Sequence, residues 1–163
     1  MLFERLSLSE EERIPEMSEM ATAIVREHFD PIIGKAQNNY MIEKFQTVEA
    51  IRAQLQNGYQ YYFVKAGGRN IGFLAFYPKA RCMYLSKFYL YKAERGKGYA
   101  GQMLDFVIRK AREQHLPAVE LHVNKNNSAR YAYEKLGFRI AGCEKNDIGA
   151  GFYMDDYVYR LEI

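Results

Sequence analysis

The chain has 163 residues, with 23 Lys and Arg against 20 Asp and Glu, for a formal net charge of +3. Hydrophobic residues at 48% and charged residues at 26% are ordinary globular values, which exclude collagen-like, disordered and low-complexity classes. So slight a basic surplus gives no ground for a nucleic-acid partner, and the length suits a single domain over residues 1–163 with a core of its own.

Met1 to Glu12 carries acidic residues where a signal peptide needs a basic and then an apolar run. No stretch reaches the roughly 18 apolar residues of a membrane span, so a soluble, cytoplasmic chain with no membrane partner is expected. Between Ser9 and Phe29, Ile14, Met17, Met20, Ala21, Ile24 and Val25 recur at helical spacing. Pro31 and Gly34 predict a break, after which Met41, Ile42 and Phe45 lead to Thr47, which can cap a short helix ending at Asn57-Gly58. The first third therefore reads as helical.

Tyr59–Lys65 and Ile71–Tyr77, joined through Gly67 and Gly68, predict a hairpin, and Met83–Tyr91 extends it into an antiparallel meander. Helix resumes after Gly98, with Ala100, Met103, Leu104, Val107, Ile108 and Ala111 on one face as far as Pro117. A strand at Val119–Val123, a short helix from Ser128 to Leu136 stopped by Gly137, and two strands from Phe138 and from Phe152 to Ile163 complete the order. A strand, helix, strand passage inside a mostly antiparallel run predicts an α/β fold with a mixed sheet of about six or seven strands covered by helices. Cys82 and Cys143 are far apart and belong to no CxxC or Cys/His cluster, so neither a disulfide scaffold nor a metal site is expected.

The segment Arg95-Gly-Lys-Gly-Tyr-Ala-Gly101 is a basic, glycine-rich turn between a strand and a helix. The first N–H groups of a helix lack partners within it, and with the positive end of the helix dipole they can hold a diphosphate. Gly96 and Gly98 let the backbone close around its oxygens, while Arg95 and Lys97 bring charge. Gly96-x-Gly98-x-x-Gly101 also matches a dinucleotide-binding fingerprint. That motif belongs to the first turn of a βαβ unit, however, and here three antiparallel strands precede it. An acyl-carrier diphosphate is the better expectation.

Arg95-x-x-Gly98-x-Ala100 resembles the Arg/Gln-x-x-Gly-x-Gly/Ala signature of the GNAT (Gcn5-related N-acetyltransferase) superfamily, and it lies at the strand-to-helix turn that family requires. Asn126-x-x-Ala129-x-x-x-Tyr133-Glu-Lys-Leu-Gly-Phe138 looks like the family's second hallmark. The resemblance implies helices on both faces of the sheet, a splayed central strand pair, and acetyl-CoA as acyl donor. It also implies that backbone groups of Phe88 and Leu90 pair with the pantetheine arm as an added strand would. Arg95, Gly96, Lys97, Gly98, Tyr99, Ala100 and Gly101 would cradle the pyrophosphate, and Asn126 or its neighbour Asn127 would orient the arm. Tyr133 would give a proton to the departing thiolate, work that a phenol of pKa near 10 can do.

Many relatives carry a Glu on the strand before the glycine loop, where this chain has Leu85-Ser86-Lys87. Ser86 cannot take an ammonium proton at neutral pH. A water relay supported by Ser86 and Tyr84, His122 on the next strand, Asp155 or Asp156, or no base at all remain alternatives. Acidic and aromatic residues of two segments, Asp30, Tyr40, Glu43, Phe152, Tyr153, Asp155 and Asp156, could hold a cationic amine. Phe152-x-Met154-Asp155-Asp156-Tyr157 is similar to a bacterial polyamine N-acetyltransferase-like subgroup, which implies a small polyamine acceptor; a protein or peptide amine is the alternative. A non-catalytic acyl-CoA sensing module is an alternative of another class, and exposed strand edges would allow a homodimer.

Overall fold

The computed structural model describes residues 1–163. Twelve main elements follow in chain order: strand β1 (Leu2–Leu6), helices α1 (Ile14–Ile33), α2 (Lys35–Phe45) and α3 (Val48–Gln56), strands β2 (Gln60–Ala66), β3 (Arg69–Pro78) and β4 (Met83–Leu90), helix α4 (Tyr99–Glu113), strand β5 (Ala118–Asn124), helix α5 (Ala129–Lys135), and strands β6 (Arg139–Gly149) and β7 (Phe152–Glu162). The seven strands form one sheet in the order β1-β2-β3-β4-β5-β7-β6, the mixed, mostly antiparallel α/β arrangement expected. The chain divides into two compact units, Met1–Tyr77 with Lys87–Ala100, and Pro78–Ser86 with Gly101–Ile163.

In the first unit, Ile14, Met17, Met20, Ala21 and Ile24 of α1 and Ile51 of α3 are buried with Leu6, Tyr61, Phe63, Phe73 and Ala75 of the strands. The helical stripe read from the sequence is thus the face that meets the sheet. Thr47 caps α3 as predicted, its Oγ1 accepting the Ala50 N–H at 3.1 Å. Two features differ from expectation. Leu2–Leu6 is a strand, paired antiparallel with β2 from Leu2↔Lys65 to Leu6↔Tyr61, so the first third is not wholly helical. In addition α1 runs through Pro31 to Ile33 and stops only at Gly34, whose φ of 85° a side chain would resist. Pro31 stands in the last turn, where its missing N–H removes a single bond.

In the second unit, Met103, Leu104, Phe106, Val107 and Ala111 of α4 are buried, as are Ala118, Val119, Leu121 and Val123 of β5, Phe138 and Tyr159. β5 pairs antiparallel with β7 along its whole length, from Ala118↔Glu162 to Asn124↔Asp156. Its parallel pairing with β4 is far shorter, limited to Met83↔Val119 and Tyr84↔Glu120. Pairing between these two strands ends there, the opened pair that the resemblance implies.

Candidate active site

β4 presents its backbone in two directions. The Tyr91 N–H donates to the Ile71 carbonyl at 3.0 Å, and a Cβ on Gly72 would stand 2.2 Å from the Tyr89 carbonyl oxygen. The groups of Tyr89 and Tyr91 therefore face β3, and by strand alternation those of Phe88 and Leu90 point away from it. Glycine at position 72 is a steric requirement of that close approach.

After β4, a single 3-10 turn (Lys92–Glu94) delivers the chain to the glycine loop. Gly96 and Gly98 have φ of 77° and 82°, the left-handed region glycine reaches without penalty, and a Cβ on either would meet nothing within 4 Å. No backbone hydrogen bond engages the amides of Gly96, Lys97 or Gly98. Three free amides beside open space, immediately before the start of α4 at Tyr99, fit an anionic diphosphate. Arg95 is exposed, its guanidinium donating to the Leu90 carbonyl at 3.3 Å, and Lys97 pairs with Glu94 at 3.2 Å. Glu94 also holds Arg69, at 2.8 Å, so it offsets part of the loop's positive charge.

Tyr133 lies on α5, half-buried, its ring edge-on to Phe138 with centroids 6.0 Å apart. The Tyr133 carbonyl accepts the N–H groups of Leu136 and Phe138, both at 3.1 Å, which closes the helix around Gly137 at φ 106°. The two asparagines of the motif differ in role. Asn127 is buried and its Oδ1 accepts the Ala129 N–H at 2.9 Å in the turn that enters α5, whereas Asn126 is exposed and its backbone N–H is bound by Asn124 Oδ1 at 2.9 Å.

One face of the second unit's sheet is polar. Alternation places Glu120, His122 and Asn124 of β5 on one side, with Tyr84 of β4 beside them and Arg160 bonded to Glu120 at 2.6 Å. His122 Nδ1 lies 3.7 Å from a Glu144 oxygen on β6, and its ring stands edge-on to Tyr84 at 5.1 Å. Burial lowers the His122 pKa from its ordinary 6.5, partly countered by the Glu144 and Glu120 charges. Asp156 on β7 is 4% exposed and has no cation in ion-pair range, while Asp155 is paired with Lys125 at 3.2 Å. Burial first, then the Asp155 and Glu144 charges, push the Asp156 carboxyl up to about 6. Both acids lie within β7, the strand predicted from Phe152 to Ile163.

Of the other acceptor-segment residues, Asp30 accepts from Asn38 at 2.7 Å, Lys44 lies over the Tyr40 ring at 5.8 Å, and Glu43 is exposed on α2, all in the first unit. Phe152 and Tyr153 open β7 in the second unit, with Lys145 over the Tyr153 ring at 5.1 Å. Lys87 escapes the sequence reading altogether. Only 5% exposed, its ammonium donates to the Phe45 carbonyl at 2.8 Å, Gln46 Oε1 at 2.9 Å, Gln54 Oε1 at 3.0 Å and the Tyr61 hydroxyl. Burial lowers its pKa from 10.5 to about 7. The signal was its parity, since Lys87 stands in step with the inward-facing Met83 and Leu85.

Residues 16–154 match the family model of the acetyltransferase (GNAT) domain. The chain belongs to the GNAT acetyltransferase family. Among curated relatives of this GNAT chain, GCN5-related N-acetyltransferase 6, chloroplastic, from Arabidopsis thaliana is 35% identical over 80 residues. That match covers 48% of this chain and only 26% of the relative, so the shared region is a small part of a longer protein. The fold is similar to PaiA N-acetyltransferase from Thermoplasma acidophilum in complex with coenzyme A, with TM-score 0.79, 18% identity and full coverage of both chains. It is also similar to a GNAT family acetyltransferase from Elizabethkingia anophelis with acetyl-CoA bound, with TM-score 0.59 and 22% identity over 69% of this chain and 82% of that one.

Proposed function

We propose that this chain is a single N-acetyltransferase domain that moves the acetyl group of acetyl-CoA to a primary amine by direct attack on the thioester. The observation that carries the reading is the glycine loop, with three unbonded amides at two left-handed glycines just before α4. In this reading the loop from Arg95 to Gly101 holds the pyrophosphate, and outward-facing backbone groups of Phe88 and Leu90 pair with the pantetheine arm. The exposed amide of Asn126 orients that arm, a choice supported by the burial of Asn127, whose Oδ1 already accepts the Ala129 N–H.

The amine lone pair attacks the carbonyl carbon, a C–N bond forms, and the C–S bond breaks. Tyr133 gives its hydroxyl proton to the departing thiolate and is reprotonated from water. The acceptor is a polyamine-type small amine, a choice supported by the unneutralised carboxylate of Asp156 beside the charges of Asp155 and Glu144. The two free cysteines, one of them exposed, suit a reducing cytoplasmic setting.

The test is thiol release from acetyl-CoA with spermidine, glucosamine and a lysyl peptide, with Tyr133→Phe run beside the wild type. Release with spermidine, reduced about 10²-fold or more in Tyr133→Phe at unchanged acetyl-CoA affinity, is expected. Equal turnover in the two proteins would remove the acid assignment. Acetyl-CoA binding without release from any acceptor would favour the sensing module.

A further inference from the structure

The reaction needs a proton acceptor on the amine side, because an alkylammonium at neutral pH has no lone pair to attack with. Ser86, where a strand acid would stand, has no basicity in this range. In the register of β4 and β5, Tyr84 is paired with Glu120, so two residues further along both strands the corresponding row holds Ser86 and His122. It is the first same-face row after pairing between the strands ends. The only ionisable side chain in that row comes from β5.

We propose that His122 is the general base of the amine half-reaction, with Glu144 as the residue that positions it. The assignment deepens the acetyltransferase reading and rests on it. His122 Nδ1 faces Glu144 Oε2 at 3.7 Å, a charge contact longer than a hydrogen bond, which favours a proton on Nδ1 and a lone pair on Nε2. The imidazole side chain keeps 17% of its surface exposed, and the edge of the ring packs against Tyr84 at 5.1 Å, so its plane is held. His122 Nε2 takes one proton from the bound ammonium, and the lone pair so freed attacks the thioester carbonyl. The imidazolium returns that proton to water, and the second proton lost from nitrogen as the amide forms goes to solvent, matching the one Tyr133 gives the thiolate. Glu144 stabilises the imidazolium formed in between.

The charged and titratable groups around the ring come from every strand of this unit. Tyr84 lies on β4, Lys79 on the turn before it, Glu120 on β5, Glu144 on β6, and Asp156 and Arg160 on β7. Arg160 is occupied by Glu120 and Glu162, and Lys79 lies over the Tyr84 ring at 4.2 Å. Burial, the largest influence on this ring, favours the neutral imidazole, the form a base requires.

The experiment measures kcat/KM against pH, with acetyl-CoA and the three acceptors above, for the wild type, His122→Gln and Glu144→Gln, alongside acetyl-CoA affinity by calorimetry. His122→Gln should lose about 10²-fold or more at pH 7 and recover towards wild type near pH 10, where the amine is already neutral, with acetyl-CoA affinity unchanged. Glu144→Gln, on an exposed edge strand, should retain most activity but move the acidic limb of the profile to lower pH, because the imidazolium loses its stabilising carboxylate. A His122→Gln profile superimposable on wild type overturns the assignment and leaves the acetyltransferase reading intact. Wild type that releases no thiol with any acceptor overturns both. If His122→Gln fails to fold, the Glu144→Gln profile decides, and an unshifted acidic limb counts against the assignment.

Discussion

Replacing Lys87 with Met removes the one buried ammonium of the first unit and keeps most of its packing volume. Its four acceptors are a main-chain carbonyl, two amide oxygens and a phenol, none of which is anionic, so nothing offsets the loss of hydration by charge. The folded amine titrates at about 7 and the unfolded one at its ordinary 10.5. The unfolded chain therefore binds the extra proton between these values, and stability rises with pH across the window, by up to roughly 5 kcal/mol in all. Below pH 7 both states are protonated and the full cost is present. Between pH 7.5 and 9 the stability of wild type minus that of Lys87→Met should rise by about 2 kcal/mol. Urea unfolding followed by circular dichroism at three pH values in that interval measures it. Burial also raises the Cys82 and Tyr61 pKa values, which works in the opposite sense, with stability lost as pH rises. Both groups are present in the two proteins, and the interval stops short of the ordinary tyrosine pKa. Parallel pH dependences for wild type and variant would refute the reasoning.

Two further outcomes follow from local geometry and charge. Gly72→Ala puts a methyl group 2.2 Å from the Tyr89 carbonyl oxygen and should cost about 3 kcal/mol or more in chemical denaturation; an unchanged midpoint would mean that β3 and β4 separate there without penalty. Asp156→Asn should stabilise the protein at pH 8 by up to about 3 kcal/mol and hardly at all at pH 4, because a folded pKa of about 6 against 3.8 unfolded makes the charge costly as pH rises through 6; equal effects at the two pH values would show that burial does not penalise this carboxylate.

What could be read in advance was whatever is decided within a few residues of chain. Thr47 followed by a helical stripe, Gly96 and Gly98 before α4, and Gly137 after α5 each act through local backbone conformation, and each appears where the pattern put it. β1 was missed because Leu2–Leu6 has no turn signal of its own and becomes a strand only by pairing with β2, distant in sequence. Pro31 misled because a proline costs little in a last turn whose preceding stripe is fully packed. The chemistry of Lys87, His122 and Asp156 depends on which neighbours bury them. Lys87 stands in an apolar parity that should have flagged it, but adjacent acids in a β-strand give no sign that only Asp156 is enclosed. Glu144 had no signal at all, since its pairing with His122 exists only through the β5-β7-β6 order.

β6 is a sheet edge of eleven residues, most of them exposed, and such an edge is a template on which a stranger's strand could grow. It is marked against that use. Arg139, Glu144, Lys145 and Asp147 punctuate it with charge of both signs, and irregular register at Ile140/Gly142 and at Asp147/Gly149 breaks the even spacing a docking strand would need. Glu144 then has two duties, one toward the imidazole and one toward the crowd outside. Neutralising it together with Lys145 and Asp147 would leave Ile140 and Tyr153 on a quieter border, and the same chain would be more prone to precipitate at concentrations that wild type tolerates.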